Sequence, residues 1–181
     1  MVYIKINNDK SVTLGSTIEP QEQGWTLYEK QIPQANKHVW DEALQEVIMC
    51  PTWLAEFKNS LLEKLINACD KKQDDAIVML LGYKATAGQL ERYKRKYERA
   101  LNNKFSADEN AAIIANHEGF LTAIDNFADL IEFVRINTAA LIEAGEFEKA
   151  KAVIQQAQMF DAETTLTDVQ ALFEEVVYEV A

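Results

Sequence analysis

The stretch "SADENAAIIANHEGFLTAIDNFADLIEFVRINTAALIEAGEFE", residues 106–148, contains no proline and repeats apolar side chains at alternating steps of four and three. Ile113, His117, Phe120, Ile124, Phe127, Ile131, Val134, Thr138 and Leu141 mark this seam, and His117 and Thr138 are its polar members. That period belongs to a helix packed along other helices. Ile114, Leu121, Ala128 and Ile142 widen the stripe beyond what a two-stranded coiled coil needs, which predicts a bundle. Glu118, Asp125, Asp129, Glu132 and Glu143 fall opposite the seam. Ser106 and Glu109 fit a capping box at the start, and Gly145 fits a stop. A helix over 107–144 would be roughly 55 Å long. A compact globule of this chain length has a radius of gyration of about 16 Å, so an elongated bundle is expected. Gly119 is the point where a break would shorten the rod.

Upstream, a second capping box, Thr86 and Gln89, predicts a helix beginning near 87. Pro51 suits the first turn of a helix carrying Leu54, Phe57, Leu61, Leu65 and Ala68. The polar run "DKKQDD" at 70–75 leaves one helix or two compatible with the pattern, ending at Gly82. "HVWDEALQEVIM", 38–49, places Val39, Ala43 and Val47 at four-residue steps and reads as a short amphipathic helix. A helix over 146–160 follows the long one. A last helix carries Val169, Leu172, Phe173, Val176, Val177 and Val180 behind a Thr167 cap, with a strand as the alternative for this terminal run.

Residues 1–33 have a different period. Val2, Ile4 and Ile6 alternate with Tyr3 and Lys5, "NNDK" supplies a turn, and Val12 and Leu14 alternate again. "GWTLYEKQIP" reads as a third strand closed by Pro33. The expected fold is therefore mainly α (α+β). A short N-terminal antiparallel β-meander over 1–35 precedes an elongated helical bundle over 36–181 with one long heptad-patterned helix.

The 181 residues are 48% hydrophobic, enough for a core, and carry a net charge of −11. Such a charge argues against general affinity for nucleic-acid phosphates or an anionic membrane. "MVYIKINNDK" has neither a basic leader nor a long apolar run, and "AIVMLLG" at 76–82 is too short to span a bilayer. A cytoplasmic protein with no membrane partner is expected. Cys50 and Cys69 read as small buried hydrophobes in a reducing compartment.

The charge is unevenly spread. Residues 105–181 carry fifteen acids and three bases, whereas seven Lys/Arg occur from Lys84 to Lys104. In that basic segment Leu90, Tyr93, Tyr97, Ala100 and Leu101 form an apolar stripe, and Arg92, Lys94, Arg95, Lys96 and Arg99 take the other faces. Antiparallel packing on the acidic long helix would neutralise part of it. The rival reading is a nucleic-acid-binding regulator acting through 84–104. No phosphate-cradling glycine loop, HExxH or nucleophile elbow occurs. Neither a catalytic residue nor a cofactor or metal site is assigned, and the expectation is a non-enzyme. "LIEAGEFEKAKAVIQQAQMF", 141–160, resembles one tetratricopeptide helix pair, without the second copy that a solenoid needs.

The three short strands ending in "GWTLYEKQIP", followed by acidic helices, resemble small accessory proteins of phage and prophage tail modules, including tail-fibre assembly proteins. The match is best over Val2–Pro33. The resemblance implies protein binding in virion assembly and no cofactor. Expected contact residues are Trp25 and Tyr28 on the sheet, and Arg92, Lys96 and Arg99 on the basic helix. A protein partner is expected, the resemblance implies a phage structural protein, and the broad apolar stripe admits a homo-oligomer.

Overall fold

A computed structural model describes residues 1–15, 17, 20, 23–33 and 37–178, the side chains of 177 and 178 excepted. Its contacts divide the chain into two compact units, Met1–Ser60 and Leu61–Ala181. The mainly α, α+β class holds, with strands first and, among the described residues, five helices after them.

In the first unit, β1 (Val2–Ile6), β2 (Val12–Leu14) and β3 (Thr26–Tyr28) form an antiparallel sheet. The order is β2-β1-β3, so the first strand is central, where a sequential meander would put the second. Ile4 opposes both Leu14 and Thr26 in the register. The turn after β1 is held by Asn7, whose Nδ2 donates to Ser11 Oγ at 2.9 Å, with Lys10 at φ +64. Asp9 accepts from both the Ser11 hydroxyl and the Ser11 N–H, bonds that hold its carboxyl below the usual range.

Residues 38–49, expected as a helix, are instead a hairpin of β4 (His38–Asp41) and β5 (Glu46–Met49). Asp41 Oδ1 accepts from the N–H groups of Ala43 and Leu44, and Gln45 adopts φ +53. This side-chain-to-backbone turn competes with helix and wins because Val39, Trp40, Val47 and Ile48 are β-branched or aromatic and pair across it. Strand structure thus continues to Met49, beyond residue 35. A bridge between Ser11 and Val39, and Trp40 N–H donating to Lys10 O at 2.9 Å, join the hairpin to β2. Ile4, Val12, Tyr28 and Val47 form the core of the unit, flanked by Val2, Ile32 and Trp40.

Helix α1 (Pro51–Leu81) is one uninterrupted helix, so the run at 70–75 does not break it. It stops where Gly82 takes φ +75, a left-handed residue that suits glycine. In the second unit, α2 (Ala87–Leu101) and α3 (Ala107–Glu143) both begin with complete capping boxes, Thr86 with Gln89 and Ser106 with Glu109. Helix α3 runs straight through Gly119 and spans about 55 Å. It is followed by Gly145 (φ +82) and α4 (Phe147–Ala157). Helix α5 (Leu166–Tyr178) takes up the terminal run as a helix, and its cap is Thr165 rather than Thr167: Asp168 N–H donates to Thr165 Oγ1, and Thr165 N–H to Asp168 Oδ2. Val180 lies outside the described residues, as does the Val177 side chain.

The seam of α3 is the core of this unit. Ile113, Ile124, Phe127, Ile131, Val134 and Thr138 are buried, as are the flanking Leu121, Leu130 and Ile142. Val153 and Ala157 of α4 and Val169 of α5 are fully buried with them. Ile124 packs with Ile77 and Ala85, and Phe133 meets Phe173 edge-on at 5.5 Å. Packing from α1, α2, α4 and α5 around one helix explains why its stripe is wider than a coiled-coil seam. Cys69 is fully buried; burial pushes its thiol up, an effect that the nearby Arg135 guanidinium opposes. Among the described residues, no helix is long and apolar enough to cross a membrane.

Candidate protein-interaction surface

Helix α2 places its side chains on three faces. The apolar face packs: Ala100 is buried, Tyr93 sets its ring edge-on to His117 at 5.5 Å and to Phe120 at 5.6 Å, and Leu90 joins the Ile124 cluster. Leu101, expected in this stripe, is 52% exposed at the helix end. The seam histidine, His117, bonds through Nδ1 to Ile113 O at 2.9 Å. Tyr93 Oη also bonds Tyr83 Oη, which raises the Tyr83 phenol. Partial desolvation, and then the Glu118 carboxylate, raise the Tyr97 phenol.

The second face is an inner flank that turns toward α3. Lys94 Nζ meets Asp125 Oδ1 there at 2.6 Å. This is the antiparallel neutralisation that the charge pattern foretold. Two further cations of the basic segment are also paired, Lys84 with Asp74 at 2.6 Å and Arg95 with Glu91 at 2.9 Å. Asp74 raises the Lys84 ammonium, chiefly by hydrogen bonding.

The outer flank carries Arg92, Lys96 and Arg99, all exposed. At 3.6 residues per turn, these steps of four and three put them on one stripe roughly 10 Å long. The same geometry sets each of them roughly 140–200° around the helix from Lys94. Arg92 Nε donates to Gly88 O at 3.1 Å, and the Arg99 guanidinium lies 4.8 Å from the Phe105 ring centre. Lys96 has no hydrogen bond or ion pair among the described residues. None of the three contacts a carboxylate among them.

The sheet candidates behave differently. Tyr28 is 7% exposed: its Oη accepts from Val47 N–H at 3.0 Å and its ring meets Trp40 edge-on at 6.4 Å. It is a core residue of the first unit, and its expected contact role is withdrawn, because a phenol placed to close a small core cannot also face a partner. Trp25 is half-buried, and its ring lies over Gly15 so closely that a Cβ there would sit 2.7 Å from it. Trp25 and Tyr28 belong to one unit and Arg92, Lys96 and Arg99 to the other, so no single unit gathers all five.

A cleft of about 340 Å³ lies between α3 and the loop before α5, with Asp129 and Glu163 on its lining. The carboxylates held below their ordinary range are not on that lining, though Asp161 and Asp168 bond to lining residues Glu163, Thr164 and Thr165. Glu109 and Asp168 are lowered by their capping hydroxyls, and Asp161 by the Glu163 N–H and the Thr164 hydroxyl in a turn. Among the described residues, no three His, Cys, Asp or Glu side chains converge as metal ligands. Comparison with protein-family models, curated proteins and solved structures finds no match to this chain.

Proposed function

We propose that this protein is a non-enzymatic protein-binding or structural component that holds an acidic surface of a partner protein on the outer flank of α2. The observation that carries this reading is the solvent-facing stripe of Arg92, Lys96 and Arg99 on a chain of net charge −11. A set of exposed cations kept off the neighbouring acids is available to something else. The displaced carboxylates support a non-catalytic reading, since each serves a cap or turn. The likeness of Val2–Pro33 to tail-module accessory proteins favours a phage structural protein as partner, met in the host cytoplasm, with assembly as the role. Nucleic acid is the rival ligand for the same stripe. Three of the seven cations from Lys84 to Lys104 already sit in ion pairs, which weakens that case.

The test is fluorescence anisotropy with two labelled probes, an Ala-rich helical peptide bearing Glu at i, i+4 and i+7, and a short DNA duplex. The wild type binds the peptide more weakly as salt rises, and Arg92→Gln/Lys96→Gln/Arg99→Gln binds it about tenfold more weakly, three exposed pairs at about 0.5 kcal/mol each. Equal peptide binding by both proteins sinks the reading. Preference for the duplex, lost in the variant, establishes nucleic acid instead.

A further inference from the structure

Resting on that reading of the α2 flank, we propose that its occupant is the α3 face of a second copy of this chain, in a head-to-tail contact. Asp125, Asp129 and Glu132 stand on α3 at steps of four and three, the same spacing as Arg92, Lys96 and Arg99 on α2. Two helices that cross at a shallow angle can therefore set these cations against Asp129 and Glu132 at matching pitch, beside the Asp125 that Lys94 already holds. The chain already shows one such contact, because Lys94 on α2 meets Asp125 on its own α3. Asp129 and Glu132 are exposed, and among the described residues Glu132 pairs only with Arg135, at 3.6 Å.

Geometry prevents a molecule from satisfying its own stripe. Lys94 points toward the acidic side of α3, and Arg92, Lys96 and Arg99 lie roughly 140–200° around α2 from it. The basic and acidic stripes thus occupy opposite flanks of the α2–α3 pair. A contact between unlike patches of identical chains is heterologous, and it propagates as a string or ring instead of closing as a two-fold dimer. The net charge of −11 opposes association at long range. At about 0.1 M salt the screening length is about 10 Å, which damps that repulsion more than it damps ion pairs in contact. Association should therefore be seen near 0.1 M and fade by about 0.5 M.

Sedimentation velocity on the full chain tests this. The weight-average mass of the wild type rises with concentration at about 0.1 M NaCl and returns to the monomer at about 0.5 M. R92E/K96E/R99E alone and D129K/E132K alone stay monomeric, and an equal mixture of the two regains mass, because each supplies the complement of the other. Circular dichroism of both variants checks that they fold. A wild type that stays monomeric throughout, or a mass that neither reversal changes, overturns the second copy as occupant. If the Glu-bearing peptide still binds through Arg92, Lys96 and Arg99 in that case, the protein-binding reading survives and only the identity of the partner is wrong. If the peptide fails as well, both fall.

Discussion

The two flanks of helix α2 carry similar cations and do different work. On the inner flank, Lys94 is held at 2.6 Å by Asp125 and belongs to the bundle. On the outer flank, Arg92, Lys96 and Arg99 are exposed and make no ion pair among the described residues. Composition alone makes the segment one basic helix. The rotation between its side chains makes it a helix with a structural side and a free side. A run of charge therefore says little about function until its angular position relative to the packing face is known.

The sharpest way to break the comparison is to attack the face that both flanks share. Tyr93→Ala removes ring contacts with His117 and Phe120 and should cost about 2–3 kcal/mol in a urea melt. A loss below about 0.5 kcal/mol would mean that α2 is not anchored there. Thr86→Ala removes the α2 cap and should cost about 1 kcal/mol. Gly119→Ala should stabilise by up to about 1 kcal/mol, because a Cβ meets nothing within 4 Å and the helix continues through the site. A destabilised variant would contradict continuity at Gly119.

The two capping boxes add a pH-dependent contrast. Glu109 closes the box of α3 and its pKa in the folded state lies below 4.5, whereas α2 uses the uncharged Gln89. A lowered folded pKa gives stability that is present above 4.5 and lost as pH falls through 4.5 toward the folded value. The melting-temperature advantage of the wild type over Glu109→Gln should therefore shrink as pH falls from 6 to 3. The same comparison for Gln89→Glu, which installs the acid in the α2 box, should acquire this dependence. Smallest of all, Lys94→Gln should cost about 0.5 kcal/mol, since both partners are more than one-third exposed.

Much of this was legible in the sequence. The seam from Ile113 to Leu141, both capping boxes and the glycine stops at 82 and 145 are local signals that agree with the tertiary packing. The neutralising contact was legible as a trend, though not as Lys94 with Asp125. Residues 38–49 misled because Val39, Ala43 and Val47 match a helical step, and Glu42, Ala43 and Leu44 are good helix formers. The deciding signals were Asp41, which caps a turn, and the β-branched and aromatic pairs around it. Tyr28 could not be placed by its strand alone. Its burial depends on β5 arriving to donate Val47 N–H, a partner nineteen residues away. Long-range pairing of that kind leaves no periodic trace.

Thermal melting with and without the Glu-bearing helical peptide tests the division of labour on α2 most directly. Lys94→Gln is predicted to melt slightly below the wild type and to be raised by the peptide as the wild type is. Arg92→Gln/Lys96→Gln/Arg99→Gln is predicted to melt with the wild type and to gain nothing from the peptide. A triple variant that melts well below Lys94→Gln, yet is stabilised by the peptide as fully as the wild type, would contradict the account.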